Sequence, residues 1–234
     1  MWIRSELKAL GKQDFKRDYW CYVLVAFLAL LATGTFPLKI QWHFDFSDMD
    51  FSNIVQYVSN TSRGNGIIGI LLTVFLLHPL YVGTRRFFLS NIYKDGKTSL
   101  GTVLYAFDHS YGNVVLTTFL KSLFIALWSL LLVIPGIVKM YSYFMVDYIL
   151  ADNPGLDQAR AFEISKKTMV NEKMNVFIFD LSFILWYLLS GITLGIVGIF
   201  YVVPYVEASK ARLYDCLKQK ALSNGFAAYE DFNC

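Results

Sequence analysis

Ionisable residues interrupt the apolar stretches of this chain at His78, Lys121, Lys139, Asp147, Asp180 and Glu207. A charge in hydrocarbon is costly, so each is expected to face a polar interior, pair with an opposite charge or reach water. Lys139 closely follows a turn signal, and Asp147, Asp180 and Glu207 stand within about two helical turns of the ends of their stretches, where snorkelling satisfies a charge. Lys121, Asp147, Asp180 and Glu207 come from four different expected spans at broadly similar depth. Facing inward, they would form a polar, partly ion-paired vestibule open to the cytoplasm, which either braces the helices or receives a polar solute or lipid headgroup. Bracing is the expected role. His78, beside Pro79, reads as a buried hydrogen-bonded residue, since a proton relay needs a partner that spacing does not locate. Tyr141, Tyr143, Tyr148, Trp186 and Tyr205 read as interface anchors and packing residues.

Catalytic chemistry leaves spacings that are missing here: there is no GxSxG, HExxH, CxxC or GxxxxGKS/T, and no two histidines stand at metal-ligand spacing. Cys21, Cys216 and Cys234 are too scattered for a disulfide framework or a zinc site. Asp152-Asn153-Pro154 reads as a helix stop and turn ahead of any metal site. The expectation is a non-enzymatic protein with no catalytic residue, cofactor or metal. A net charge of +3, spread between apolar segments, argues against nucleic acid as a partner.

The elements that must hold these charges are membrane helices. The chain is 56% hydrophobic and 17% charged, with a mean hydropathy of +0.44; soluble domains carry roughly 25% charged residues. A span needs about 20 apolar residues. Tyr19 to Leu38 meets this as a retained first span without a small-residue cleavage site, and Gly64 to Thr84 meets it as a second. Val114 to Leu150 would run about 55 Å as one helix, so Pro135-Gly136 is expected to break it into a hairpin. Val176 to Ala208 would run about 50 Å, and Gly191, Gly195 and Gly198 mark its midpoint. Pro204 is a further expected kink, freeing carbonyls that must find partners. The expected fold is an all-α polytopic membrane bundle of about six spans: 19–38, 64–84, 114–134, 137–151, 176–191 and 196–210. The membrane domain covers 19–214, behind a cytoplasmic amphipathic helix over 1–18 and ahead of a cytoplasmic tail over 215–234.

Orientation follows from basic residues between spans. Arg4, Lys8, Lys12, Lys16 and Arg17 precede the first span; Arg85, Arg86, Lys94 and Lys97 follow the second. Arg160, Lys166, Lys167 and Lys173 follow the fourth, and Lys210, Arg212, Lys218 and Lys220 lie in the tail. Lys39 and Arg63 stand in the opposite loop, 39–63, so both termini are expected in the cytoplasm. That loop alternates Trp42, Phe44 and Phe46 with His43, Asp45 and Ser47, suggesting an extended or interfacial outer segment.

The two hairpins resemble each other. Trp128-Ser-Leu-Leu leads to Pro135-Gly-Ile-Val, Tyr141 and Asp147; Trp186-Tyr-Leu-Leu leads to Gly195-Ile-Val, Phe200 and Glu207. Both run cytoplasm to outside to cytoplasm, which makes a parallel repeat. Amphipathic pieces fill the cytoplasmic side: Ile3, Leu7 and Leu10 form one apolar face, Leu100, Val103, Leu104 and Phe107 another after Asp95-Gly96, and Leu156, Ala159, Phe162 and Met169 a third. Each is expected to lie on lipid headgroups.

An ordered set of motifs carries a family resemblance. Ile134-Pro-Gly-Ile-Val-Lys-Met-Tyr-Ser-Tyr, Tyr148-Ile-Leu-Ala-Asp-Asn-Pro, Ser165-Lys-Lys, Phe179-Asp-Leu-Ser-Phe-Ile-Leu-Trp and Val203-Pro-Tyr-Val-Glu-Ala resemble the bacterial integral-membrane family called domain of unknown function 975. The resemblance is strongest from Ile134 to Tyr214 and looser upstream, at Lys97-Thr-Ser and Tyr105-Ala-Phe. Asn171-Glu172-Lys173 stands where the family pattern has a small residue followed by a basic or His residue, and the second turn lacks the proline of the first. The resemblance implies a bacterial cytoplasmic membrane, a multi-pass fold and a distant similarity to membrane domains attached to some glycerophosphodiesterases; it implies no activity.

The leading functional expectation is an accessory or scaffold for an envelope or export process, with membrane lipids and a membrane protein as partners. The alternative is a small carrier of a polar or amphiphilic solute or lipid. A cavity lined by Asp147, Asp180 and Glu207 would favour the carrier, and a dry, solid interior would sink it.

Overall fold

A computed structural model describes residues 2–33, 71–93 and 98–232, and among these every regular element is helical. The outer loop 39–63, the ends of the first two spans, the Asp95-Gly96 turn and Cys234 lie outside the described residues. We number the helices α1 (Arg4–Arg17), α2 (Tyr19–Thr33), α3 (His78–Tyr93), α4 (Tyr105–Asp108), α5 (Tyr111–Leu131), α6 (Val133–Ser142), α7 (Val146–Asp152), α8 (Gln158–Thr168), α9 (Lys173–Leu181), α10 (Ile184–Ile192) and α11 (Val203–Ser223). Tyr111–Leu131, Val133–Asp152 and Lys173–Ile192 are long and apolar enough to cross a membrane, and Tyr19–Thr33 is a shorter apolar helix.

Both long stretches fold into hairpins, at breaks of different kinds. The first turns at Leu132, which is extended (φ −158°, ψ 141°), rather than at the expected Pro135-Gly136. Pro135 sits in the first turn of α6, where its missing N–H leaves no intrahelical bond unmade. Gly136 is a contact rather than a break: a Cβ there would collide with Ser129 on α5. The second hairpin turns through 193–195, where Leu194 and Gly195 take φ of 51° and 85°, and a Cβ on Gly198 would collide with the Ser190 hydroxyl. Both hairpins thus close with a glycine against a serine, although these pairs are not in register with the sequence repeat.

Two prolines are absorbed rather than breaking their helices. A π-helical turn over Thr73–Leu77 runs into α3 two residues before Pro79, and another over Gly198–Val202 runs into α11 two residues before Pro204. Proline offers no N–H and crowds the carbonyl four residues earlier; a π turn widens the helix there. The expected break at Pro204 is therefore a π turn in a continuous helix. The Phe75 carbonyl, which Pro79 cannot serve, accepts a 2.6 Å hydrogen bond from the Tyr111 hydroxyl.

The core lies away from the hairpin tips. Leu130, Ile134, Ile192 and Leu194 are 75–81% exposed, as side chains facing lipid tails would be. Phe87, Phe88, Ile149, Leu150, Leu213 and Leu217 are fully buried at the other end. There the short helices pack on the bundle instead of floating beside it. Leu7, Asp14 and Phe15 of α1 are buried, and Gly11 lies so close to α11 that a Cβ would stand 2.8 Å from the Ser209 amide nitrogen. Val103 and Ala106 are buried, with the Val103 carbonyl against Gly83. On α8, Ala161, Phe162, Ile164, Ser165 and Thr168 face inward, and Ala159, expected on the apolar face, is exposed.

Candidate functional site

The four charges expected to form a vestibule each find a partner of opposite sign or a place beside one. Lys121 on α5 places Nζ 2.5 Å from Asp147 Oδ2 on α7. Asp180 on α9 lies 3.3 Å from Lys210 Nζ on α11 and accepts a 3.3 Å hydrogen bond from the Tyr141 hydroxyl. Glu207 on α11 contacts Arg85 of α3 directly. The Arg85 guanidinium also lies 4.3 Å from the Tyr81 ring centre and 4.9 Å from that of Tyr148, a cation–π arrangement that supports a charge poor in water.

Lys121, Asp147 and Asp180 line one cavity of about 230 Å³, together with Tyr81, Arg85, Tyr141, Tyr148 and Lys210. Glu207 reaches this cavity only through Arg85. Ile125, Met140 and Phe144 give the same wall an apolar part. A second cavity, of about 290 Å³, shares Tyr81, Lys121 and Asp147 with the first and adds Thr73, His78, Thr118 and Ser122. The Lys121–Asp147 pair therefore belongs to the walls of both. His78 has a buried Nδ1 without a hydrogen-bond partner, so the expected hydrogen-bonded histidine instead faces the cavity holding this pair.

Arg85, expected in the connector after the second span, and Lys210, expected in the tail, are members of the site. A usable signal was present for Lys210: three residues after Glu207 on one helix, it shares that residue's face. Arg85 carries no comparable mark, because its acid lies on a helix distant in sequence. Lys139 stays outside the cluster, with Nζ 4.6 Å from the Trp128 ring centre across the first hairpin. Tyr148 stacks on Tyr214 at 4.9 Å, and both Tyr148 and Tyr141 stand in the wall of the first cavity.

Asp152 is the centre of a separate cluster. Its Oδ2 accepts hydrogen bonds from Lys218 at 2.8 Å and Tyr214 at 2.9 Å, and its Oδ1 from Arg86 at 3.3 Å. Asn153 Oδ1 accepts from the Gly155 amide at 3.1 Å, making the expected turn. Next to it Arg160 grips Asp231 with two nitrogens, at 3.2 and 2.8 Å. That hydrogen bonding holds the Asp231 carboxyl below its ordinary value of 3.8.

A GxGxxG spacing, expected to be absent like the other catalytic and nucleotide-binding spacings, does occur at Gly64-Asn65-Gly66-Ile67-Ile68-Gly69. It lies outside the described residues, and a dinucleotide turn needs a strand before it and a helix after it, whereas a polar Asn60-Thr-Ser-Arg precedes it here.

No curated protein and no solved structure matches the chain. Over residues 130–221, which carry Asp147, Asp180, Glu207 and Lys210 but neither Arg85 nor Lys121, the chain matches the family described as Protein of unknown function (DUF975), the one its motifs resemble.

Proposed function

We propose that this chain is a non-enzymatic multi-pass protein of a bacterial cytoplasmic membrane that takes a polar or amphiphilic molecule into the cavity between α3, α5, α7, α9 and α11, as a small carrier. The observation that supports this most is the Lys121–Asp147 pair standing in the walls of two cavities. Bracing alone is a weak reason to keep such charges, because well-packed apolar residues often replace buried ion pairs without loss of stability. The topology that goes with this reading has about six spans and both termini in the cytoplasm.

The scaffold reading has its own support in α1, which carries Arg4, Lys12 and Lys16 exposed, a surface suited to anionic lipids or an acidic partner. The two readings separate on what co-purifies with the native protein. Mass spectrometry of gently solubilised protein is expected to find a stoichiometric small molecule or lipid that is lost on Ile125→Trp, which fills the first cavity, while elution volume stays unchanged. A stoichiometric protein partner with no such molecule, or equal retention by Ile125→Trp, would sink the carrier reading.

A further inference from the structure

We infer that the ligand of this cavity is a zwitterion, a molecule of no net charge bearing both an ammonium and a phosphate or carboxylate group. The inference rests on the cavity-binding reading and names its substrate class. The first cavity is lined by Arg85, Lys121 and Lys210 against Asp147 and Asp180, and Glu207 pairs with Arg85 behind this wall, so each cation stands beside an anion. A wall balanced in this way has no surplus charge to offer an anion or a cation. A singly charged ligand would leave one unpaired charge in a poorly hydrated site, which is strongly unfavourable. A zwitterion avoids this by exchange: its anionic oxygens take Lys121 Nζ, its ammonium takes Asp147, and the number of opposite-charge contacts is maintained.

Lys121–Asp147 is the pair that opens, because it alone lines both cavities, whereas Arg85–Glu207 is held by two tyrosine rings and Asp180 by Tyr141 as well as Lys210. The apolar part of the wall, Ile125, Met140 and Phe144, accommodates the carbon skeleton. A lipid headgroup and a free solute can both present this chemistry.

The test is equilibrium binding to the purified protein of three probes: glycerophosphoethanolamine (zwitterion), glycerol phosphate (anion) and ethanolamine (cation). In parallel, nanodiscs containing phosphatidylethanolamine are compared with nanodiscs containing phosphatidylglycerol by native mass spectrometry. The zwitterionic member is expected to bind at least tenfold more tightly than either charged probe. A free glycerophosphoethanolamine signal identifies a solute, and retention of phosphatidylethanolamine alone identifies a headgroup; either supports the inference. Asp147→Asn is expected to shift preference toward glycerol phosphate and Lys121→Met toward ethanolamine. The double variant Lys121→Met/Asp147→Asn, which leaves neither charge unpaired, is expected to fold and to lose the zwitterion preference at least tenfold. A charged probe binding as tightly as the zwitterion, or selectivity unchanged in the double variant, overturns the inference while leaving a binding cavity. Binding of no probe together with retention of neither lipid overturns the cavity reading as well.

Discussion

Arg212 donates two hydrogen bonds to Asp14, from Nε at 2.5 Å and Nη2 at 2.7 Å, joining the first described helix to the last across 198 residues of chain. Two-pronged contacts of this kind fix orientation as well as distance, and Asp14 is buried. Asp14→Ala leaves Arg212 without its partner and is expected to cost about 2 kcal/mol, read as a fall in thermal stability in detergent. Arg212→Lys should recover only part of the loss, because a lysine cannot make both bonds. Equal stability of all three proteins would show that the contact contributes nothing.

Close helix approach gives a second expectation. A Cβ on Gly83 would run into the Val103 carbonyl, and one on Gly112 meets nothing within 4 Å. Gly83→Ala should therefore destabilise the protein by about 1–3 kcal/mol, the usual range for overpacking. Gly112→Ala should be neutral or slightly stabilising, since alanine is the better helix former. Thermal melts of the two variants side by side check the contrast.

The π turn at Pro79 can be examined through Tyr111. Tyr111→Phe removes the donor to the Phe75 carbonyl and should cost about 1 kcal/mol. In a Pro79→Ala background the helix can supply its own N–H, so the same substitution should cost less. A double-mutant cycle measures the difference, and additive effects would mean that proline and tyrosine act independently.

Docking of the C-terminal segment should depend on acid pH. Hydrogen bonding from Arg160 lowers the Asp231 carboxyl from its ordinary value, so the contact stabilises the docked segment above about pH 4, the unfolded carboxylate value. This stability is lost as pH falls through the depressed folded value. Hydrogen exchange over 224–232 is expected to accelerate on acidification through that range. Asp231→Asn should give fast exchange at every pH; protection unchanged in that variant would assign docking to the buried Phe232 instead.

Topology can be read by thiol labelling. With the native cysteines replaced by serine, Asn53→Cys should react with an impermeant reagent from outside intact cells, and Ser223→Cys only after permeabilisation. The reverse order would invert the assignment.

Composition and span length were enough to establish an all-helical chain with apolar hairpins, because hydrocarbon thickness limits how long an apolar helix can run. Motif order was enough for the family resemblance over its second half. Which residue turns the first hairpin was not legible, because Pro135 costs nothing in a first helical turn and Leu132 takes the break, whereas the second turns through Gly195 inside the expected glycine-marked stretch; π turns absorb Pro79 and Pro204. The acids of the site were legible, since a carboxylate inside an apolar run is conspicuous wherever it occurs. Their partners were not, because Arg85 is indistinguishable along the chain from a connector arginine, and only the packing of α3 against α7 and α11 brings it to Tyr148 and Glu207. Charge spacing records what each helix must satisfy; which helix satisfies it depends on contacts between segments far apart in sequence, and those exist only in the folded bundle.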